Sequence, residues 1–163
     1  MAACRSSAIH LELRDVYGVV DEDADFAAWK DGWLYDIDDR SSWWNGFHDT
    51  IADAVSRGVS VRRARVVSEP VTDYIRYEHS CTPQNLAAGE DVRWLPRRLT
   101  SDLLLPGNDL WIFDGVLARV HIFAGDGSHV RDELEDRPEV LKRHTEAFEE
   151  LWARAIPHAE FQV

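Results

Sequence analysis

The sequence predicts a single α/β domain: a mixed sheet flanked by helices, with a C-terminal helix closing one face. Three observations predict it. Ser60 to Val67 is a β-branched, arginine-rich run between Gly58 and Pro70, preceded by apolar residues at three- and four-residue steps from Trp43 to Val55. Leu110 to Phe113 and Val116 to Phe123 flank Asp114-Gly115, a two-residue hairpin signal. Pro138 to Ala155 sets Leu141, Phe148, Trp152 and Ala155 on one helical face. Strand, helix, strand, helix, hairpin, helix is the order of a domain that layers helices on a sheet.

Each element has its own local reason. Ile9 to Arg14 alternates apolar and polar residues, as a half-buried strand does. The acidic segment Asp21 to Asp31 carries Phe26 and Trp29 three apart and predicts a short helix or a structured loop. From Ser42, the residues Trp43, Trp44, Phe47, Ile51 and Val55 predict a helix that Gly58 stops. Pro70 suits the first turn of a helix running to about His79, and Thr82-Pro83 suits the cap of another ending at Gly89. Val92 to Leu95 is a strand candidate, and Gly125 to Ser128 is a turn. Asp136 and Pro138 start the last helix, and Pro157 ends it.

Composition narrows the function classes. At 163 residues, with 45% hydrophobic and 29% charged residues, the chain has the makeup of one globular domain. The strongest apolar run, Leu103 to Leu105, is far too short to cross a bilayer, and the start shows no signal region. A cytoplasmic protein without a membrane partner is expected. Cys4 and Cys81 are then two unpaired thiols. A net charge of −12 argues against direct nucleic-acid binding, which needs a broad basic surface.

One region departs from that acidity. Arg57 to Arg98 holds eight arginines against five acids, a balance of +3, while the other 121 residues balance at −15. Such a concentration either builds ion pairs or cradles an anion. Under the first alternative, Glu69, Asp73, Glu78 and Glu90 neutralise Arg63, Arg65, Arg76 and Arg93. Under the second, the arginines outnumber their partners and leave a guanidinium fork for a carboxylate or phosphate. Trp94 lies beside Arg93 and Arg97, where it could stack a planar ligand.

Other chemistries find less support. Glu69, Glu78 and Glu90 among so many arginines suit ion pairing better than acid and base catalysis. His79 and Cys81 are two apart next to Glu78, but no CxxC, HExxH or repeated spacing supports a metal site, and no cofactor is expected. A Cys81 nucleophile with His79 or His121 as its base is equally thin. Gly125 to Ser128 is not followed by the Lys-Ser or Lys-Thr of a phosphate loop.

The island reads Val66-Val67-Ser68-Glu69-Pro70, Asp73-Tyr74, Arg76-Tyr77-Glu78, then Arg93-Trp94-Leu95-Pro96-Arg97. This combination resembles an uncharacterised actinobacterial family known as a domain of unknown function. The resemblance runs from the first strand to the Phe148 to Phe161 segment. Members often occur beside helix-turn-helix regulators or in specialised-metabolism regions, which implies a regulatory or accessory role. A more distant resemblance is to the phospholipase D-like fold, carried by Arg57-Gly58-Val59 before a strand, Ala88-Gly89 before another, the turn at Asp114 and the closing helix. Its catalytic signature needs His, one residue, then Lys. None of the seven histidines has Lys two residues on, so that hydrolysis is not expected.

The expected function is therefore a non-enzymatic binding or regulatory module, and the runner-up is an enzyme of a metabolite pathway using the same pocket. In the first, Arg65, Arg76 and Arg93 hold a small anionic ligand or an acidic protein segment, with Trp94 as a wall. Glu69, Asp73 and Glu90 orient those arginines, and Tyr74 and Asn85 add neutral hydrogen bonds. A third alternative is a pocketless partner of a helix-turn-helix regulator.

Overall fold

In a computed structural model, which describes residues 1–18 and 23–163, the chain builds a seven-stranded mixed sheet and four α-helices. The strands are β1 (Ser7–Glu12), β2 (Ser60–Val67), β3 (Asp91–Pro96), β4 (Leu110–Phe113), β5 (Leu117–Phe123), β6 (His129–Glu135) and β7 (Ile156–Pro157). The helices are α1 (Asp23–Lys30), α2 (Gly46–Ser56), α3 (Asp73–Ala88) and α4 (Pro138–Arg154). The sheet order is β6-β5-β4-β1-β2-β3-β7. β1, β2 and β3 run parallel, with α2 and α3 in the crossovers, while β4 to β6 and β7 add antiparallel edges. The predicted α/β class, mixed sheet and closing helix are all present.

The hairpin forms where expected. Asp114 and Gly115 have φ of 52° and 69°, the two positive values a tight primed turn requires. Asp114 also does something its turn role does not suggest. Its carboxylate accepts the backbone N–H groups of Arg5, Ser6 and Ser7 at 2.8 to 3.2 Å, which pins the start of β1 to the hairpin.

Several elements differ from the sequence reading, beginning with β1, which spans Ser7–Glu12 against the expected Ile9 to Arg14. The first two residues of the acidic Asp21 to Asp31 segment lie outside the described residues, and the rest begins as α1. α2 starts at Gly46, because the Asn45 side chain accepts from Phe47 N while His48 Nδ1 accepts from Asn45 N, a reciprocal cap; Trp43 and Trp44 precede it. α3 is one helix capped by the Thr72 hydroxyl, and it continues through Pro83. Proline leaves the His79 carbonyl without its helical donor, and the helix is held on either side of that gap by Arg65, which reaches from β2 to the Glu78 carbonyl oxygen and the Thr82 hydroxyl, and by a buried face that continues to Ala88. β6 was not anticipated, because His129 to Glu135 is charged and exposed on both faces and has no apolar side to read.

The main core lies between the sheet and α4. Ile9, Leu11, Ala64, Val66, Leu95, Leu110 and Ile112 point to that side and meet Leu141, Phe148, Leu151 and Trp152. The opposite side is apolar at its ends. Ala8 and Val61 pack on Ile51 and Ala54 of α2, and Val67 and Trp94 pack with Ile75 and Phe161. Between those two clusters the strands present His10, Glu12, Arg63 and Arg65.

Candidate functional site

Alternation places that polar centre. In β1, Ile9 and Leu11 face α4, so His10 and Glu12 face the other way; in β2, Ala64 and Val66 face α4, so Arg63 and Arg65 join them. A parallel register sets His10 beside Arg63 and Glu12 beside Arg65. All four side chains are buried, with α3 meeting Arg65 through Glu78 and Thr82 and the Trp111 ring covering His10.

The result is an ion network with no open fork. Glu12 accepts from Arg63 Nη1 at 2.5 Å through one oxygen and from Arg65 Nε at 2.5 Å through the other. Glu90 takes the other side of Arg63 at 3.1 Å, and Asn85 donates to Glu90 at 2.6 Å. Glu78 pairs with Arg65 and receives the Tyr74 hydroxyl at 3.3 Å. Burial opposes the charge on Glu12, yet Arg65 and Arg63 outweigh it and hold the carboxyl down at about 2. Burial likewise opposes the charge on Arg65, and Glu12 and Glu78 more than restore it.

A cavity of about 410 Å³ opens over this network toward β5 and β6. Tyr17, Tyr74 and Phe123 supply aromatic walls, and Asp109, His121 and His129 supply polar ones. A second cavity of about 480 Å³ runs toward α2, and His10, Arg63, Arg65 and Glu78 line both. Where the two meet, the His10 ring stacks on Trp111 at 4.1 Å. Burial and the Arg63 charge hold His10 well below its ordinary pKa, so the ring is neutral. Its buried Nδ1 has no hydrogen-bond partner and stands 3.4 Å from Glu12 Oε1, outside hydrogen-bond geometry.

Asp109 is the second unusual group. It enters the wall from the loop before β4, where it accepts Leu13 N at 2.9 Å and the Tyr17 hydroxyl. Burial pushes its carboxyl up to about 6, ahead of the lowering effect of the Tyr17 hydrogen bond. At the mouth, His121 Nδ1 and His129 Nε2 converge on Asp132 Oδ1 at 2.7 and 2.8 Å, while Arg119 Nε holds Asp132 Oδ2 at 2.6 Å.

The arginine island does not form one pocket. Arg63 and Arg65 reach the cleft; Arg62, one residue away, faces α4 and pairs with Glu149 at 2.6 Å. Arg93 also faces α4, lies 4.3 Å over the Trp152 ring and pairs with Asp91 at 3.7 Å. Arg76 is on the surface with Asp73 at 3.1 Å, and Arg98 holds Glu69 at 2.6 Å. Of the residues expected to bind, Arg65, Tyr74 and Asn85 come together with Glu90, whereas Arg76 and Arg93 stand elsewhere. Trp94 is fully buried, stacked on Phe161 at 5.4 Å with its Nε1 donating to His158 Nδ1 at 3.2 Å, so it walls no ligand site. Glu69 and Asp73 orient surface arginines and not the buried ones. Burial pushes the Cys81 thiol up to about 12, which removes the thiolate a nucleophile needs.

The residues that sequence reasoning missed are His10, Glu12, Tyr17, Asp109, His129 and Asp132. A faint signal existed in β1, where His and Glu occupy alternate positions of an otherwise apolar strand. Nothing local linked them to Asp109 or to β6.

Fold and cleft define a single-domain α/β protein with an open cavity over a buried ion network on one sheet face. The chain belongs to the family described as "Domain of unknown function (DUF6879)", whose model matches residues 1–163. No curated protein matches it. A matching solved structure is described as that of TrmBL2, an archaeal chromatin protein showing a novel mode of DNA binding, at 13% identity and a TM-score of 0.49. The match covers 94% of this chain and 45% of that one, so this chain spans less than half of that protein. The expectation of no direct contact with nucleic acid is withdrawn against that DNA-binding match, which at this TM-score carries no argument of its own for this chain. The phospholipase D-like resemblance finds no support. No described helix is long and apolar enough to cross a membrane.

Proposed function

We propose that this chain is a ligand-binding module whose site is the cleft over Arg63 and Arg65, and that its ligand is a small polar molecule bearing a hydrogen-bond donor such as an amine. The observation that carries the reading is the charge-balanced, aromatic-walled lining of the cavity above a neutral His10 ring, whose Nδ1 has no protein hydrogen-bond partner but is closed to solvent, so that a ligand reaches it only with a shift of the ring. Such atoms are rare in folded proteins unless something else meets them. Charge favours a donor over an anion. Around the cavity, Glu12, Glu78, Glu90, Asp109 and Asp132 stand against Arg14, Arg63, Arg65 and Arg119, so no arginine charge is in surplus. Tyr17, Tyr74 and Phe123 offer π-faces to a cation or an apolar flank. This replaces the anionic ligand expected from the arginine count.

Thermal melting with matched amines, amino acids, carboxylates and phosphates tests it. A ligand at about 100 times its Kd stabilises by ~2.7 kcal/mol, several degrees for a chain of this size. The amine or zwitterion shift is expected to vanish in His10→Phe and to shrink in Asp109→Asn. A shift produced by anions alone, or one indifferent to both substitutions, rejects the reading.

A second reading, an enzyme in the same cleft, is favoured by Asp109 alone. A carboxyl near 6 is suited to proton transfer at neutral pH. A turnover whose pH profile loses one limb in Asp109→Asn would place it ahead.

A further inference from the structure

At the mouth of the cavity, two neighbouring strands bring three ligand-type side chains to one point. His121 lies on β5, and Asp132 is its register partner on β6. The β5–β6 ladder shifts register between Ile122 and Phe123, and beyond that irregularity Phe123 pairs with His129. Three residues from Asp132, His129 therefore returns to the same side of the sheet. Nδ1 of His121, Nε2 of His129 and a carboxylate oxygen of Asp132 all lie within 4.8 Å of one another. We propose that His121, His129 and Asp132 form a binding site for a divalent transition-metal ion of the zinc type.

The chemistry of the donors favours that class of ion. Two imidazoles and one carboxylate suit Zn²⁺ and its first-row neighbours better than Mg²⁺ or Ca²⁺, which take oxygen ligands. The geometry is close to what an ion requires. Metal–nitrogen and metal–oxygen bonds of about 2.0 to 2.2 Å in a tetrahedral arrangement place donor atoms somewhat over 3 Å apart. Here the two nitrogens stand 2.7 and 2.8 Å from Asp132 Oδ1, so each ring nitrogen moves outward by roughly half an ångström or more on binding. Arg119 grips Oδ2 and leaves Oδ1 to the ion, the part an outer-sphere partner plays in fixing a ligand's orientation.

Three protein ligands leave at least one coordination position open. His121 and His129 both line the 410 Å³ cavity, so the open position faces the space where a small molecule would enter. The site stands independently of the amine reading of the cleft, since it is defined by its own three side chains. Sequence spacing gave no hint of it. The ligands follow an H-x₇-H-x₂-D pattern across a turn, and only the β5–β6 pairing brings them together.

Untagged protein, freed of metal by dialysis against EDTA, tests the proposal by Zn²⁺ calorimetry and by visible absorption on adding Co²⁺. The expected result is one equivalent per chain, with Co²⁺ bands characteristic of a low-coordinate site. His129→Ala and Asp132→Asn should each weaken binding by more than the ~10–100-fold that loss of an outer-sphere partner costs. His129 is about half exposed on an edge strand, so its variant should melt with the metal-free parent and carries the test should Asp132→Asn fold poorly. Absence of stoichiometric binding in the parent overturns the site. Undiminished binding in His129→Ala also overturns it, by placing the ion elsewhere, for instance at the neighbouring His79 and His158 rings.

Discussion

On β2, Arg62, Ala64 and Val66 face α4 while Arg63, Arg65 and Val67 face the cleft, so one strand serves two opposite environments. The α4 side is closed by shape. Phe148 and Leu151 are wholly buried, and the charged residues there, Arg62 and Arg93, lie over aromatic rings at the margin. The cleft side is closed by charge, with two buried guanidiniums and three carboxylates sharing hydrogen bonds among β1, β2, α3 and the turn that follows α3. The difference teaches what each side can do. An apolar face gains from excluding everything, and it leaves no room for a ligand. A buried ion network gains little net stability, because desolvation offsets attraction, but it holds polar atoms rigidly around a cavity.

Four experiments would break or sharpen that contrast. The largest loss is expected on the α4 side, where Phe148→Ala removes a wholly buried ring at a cost of about 3–5 kcal/mol. Denaturant unfolding measures it, and a loss below ~1 kcal/mol would mean that α4 is not integral to the core. On the cleft side, Arg65→Met takes a guanidinium partner from both Glu12 and Glu78, leaving Glu12 to Arg63, and should destabilise by about 3 kcal/mol. Adding Glu12→Leu should then lose less than the sum of the two single changes, since both halves of a buried pair are gone. Strict additivity would show that the pair is not coupled.

The third concerns pH. Asp109 holds its proton up to about 6 in the folded chain against an ordinary 3.8, so the folded state binds more protons between those values and stability falls as pH rises through that window. Glu12, held at about 2 against 4.5, acts oppositely: its contribution is present above 4.5 and is lost as pH falls toward 2. Asp109→Asn should abolish the decline between about pH 4 and 6, a slope of at most ~1.4 kcal/mol per pH unit. Glu12→Gln should instead flatten the acid limb. Identical pH profiles for parent and Asp109→Asn would remove Asp109 from the list of perturbed groups. The smallest effect belongs to Arg76→Gln, an exposed partner of Asp73, expected within ~0.5 kcal/mol.

Much of the fold was legible because its signals are local. Ser60–Val67 and Leu110–Phe113 match their strands residue for residue, and Asp114-Gly115 turns where the dipeptide predicts. α4 announces itself by Pro138 and a repeating apolar face. The longer α3 was harder to see, since Pro83 looks like a break until Arg65 is known to hold the turn beside it. β6 was invisible because an exposed edge strand of charged residues has no apolar period.

The site divides along the same line. By itself the sequence determined which segment is arginine-rich, that the first strand alternates, and that Glu78 and Glu90 lie within the island. What it could not determine is which side of the sheet each arginine faces relative to the helices, because a charge count along the chain ignores the period of two that sends Arg62 and Arg93 one way and Arg63 and Arg65 the other. Nor could it bring Glu12, Tyr17 and Asp109 to those arginines, or His129 and Asp132 to His121. Those meetings depend on strand pairing and on α3 covering the sheet, and only the tertiary structure decided them, because such contacts are set by packing between segments distant in sequence.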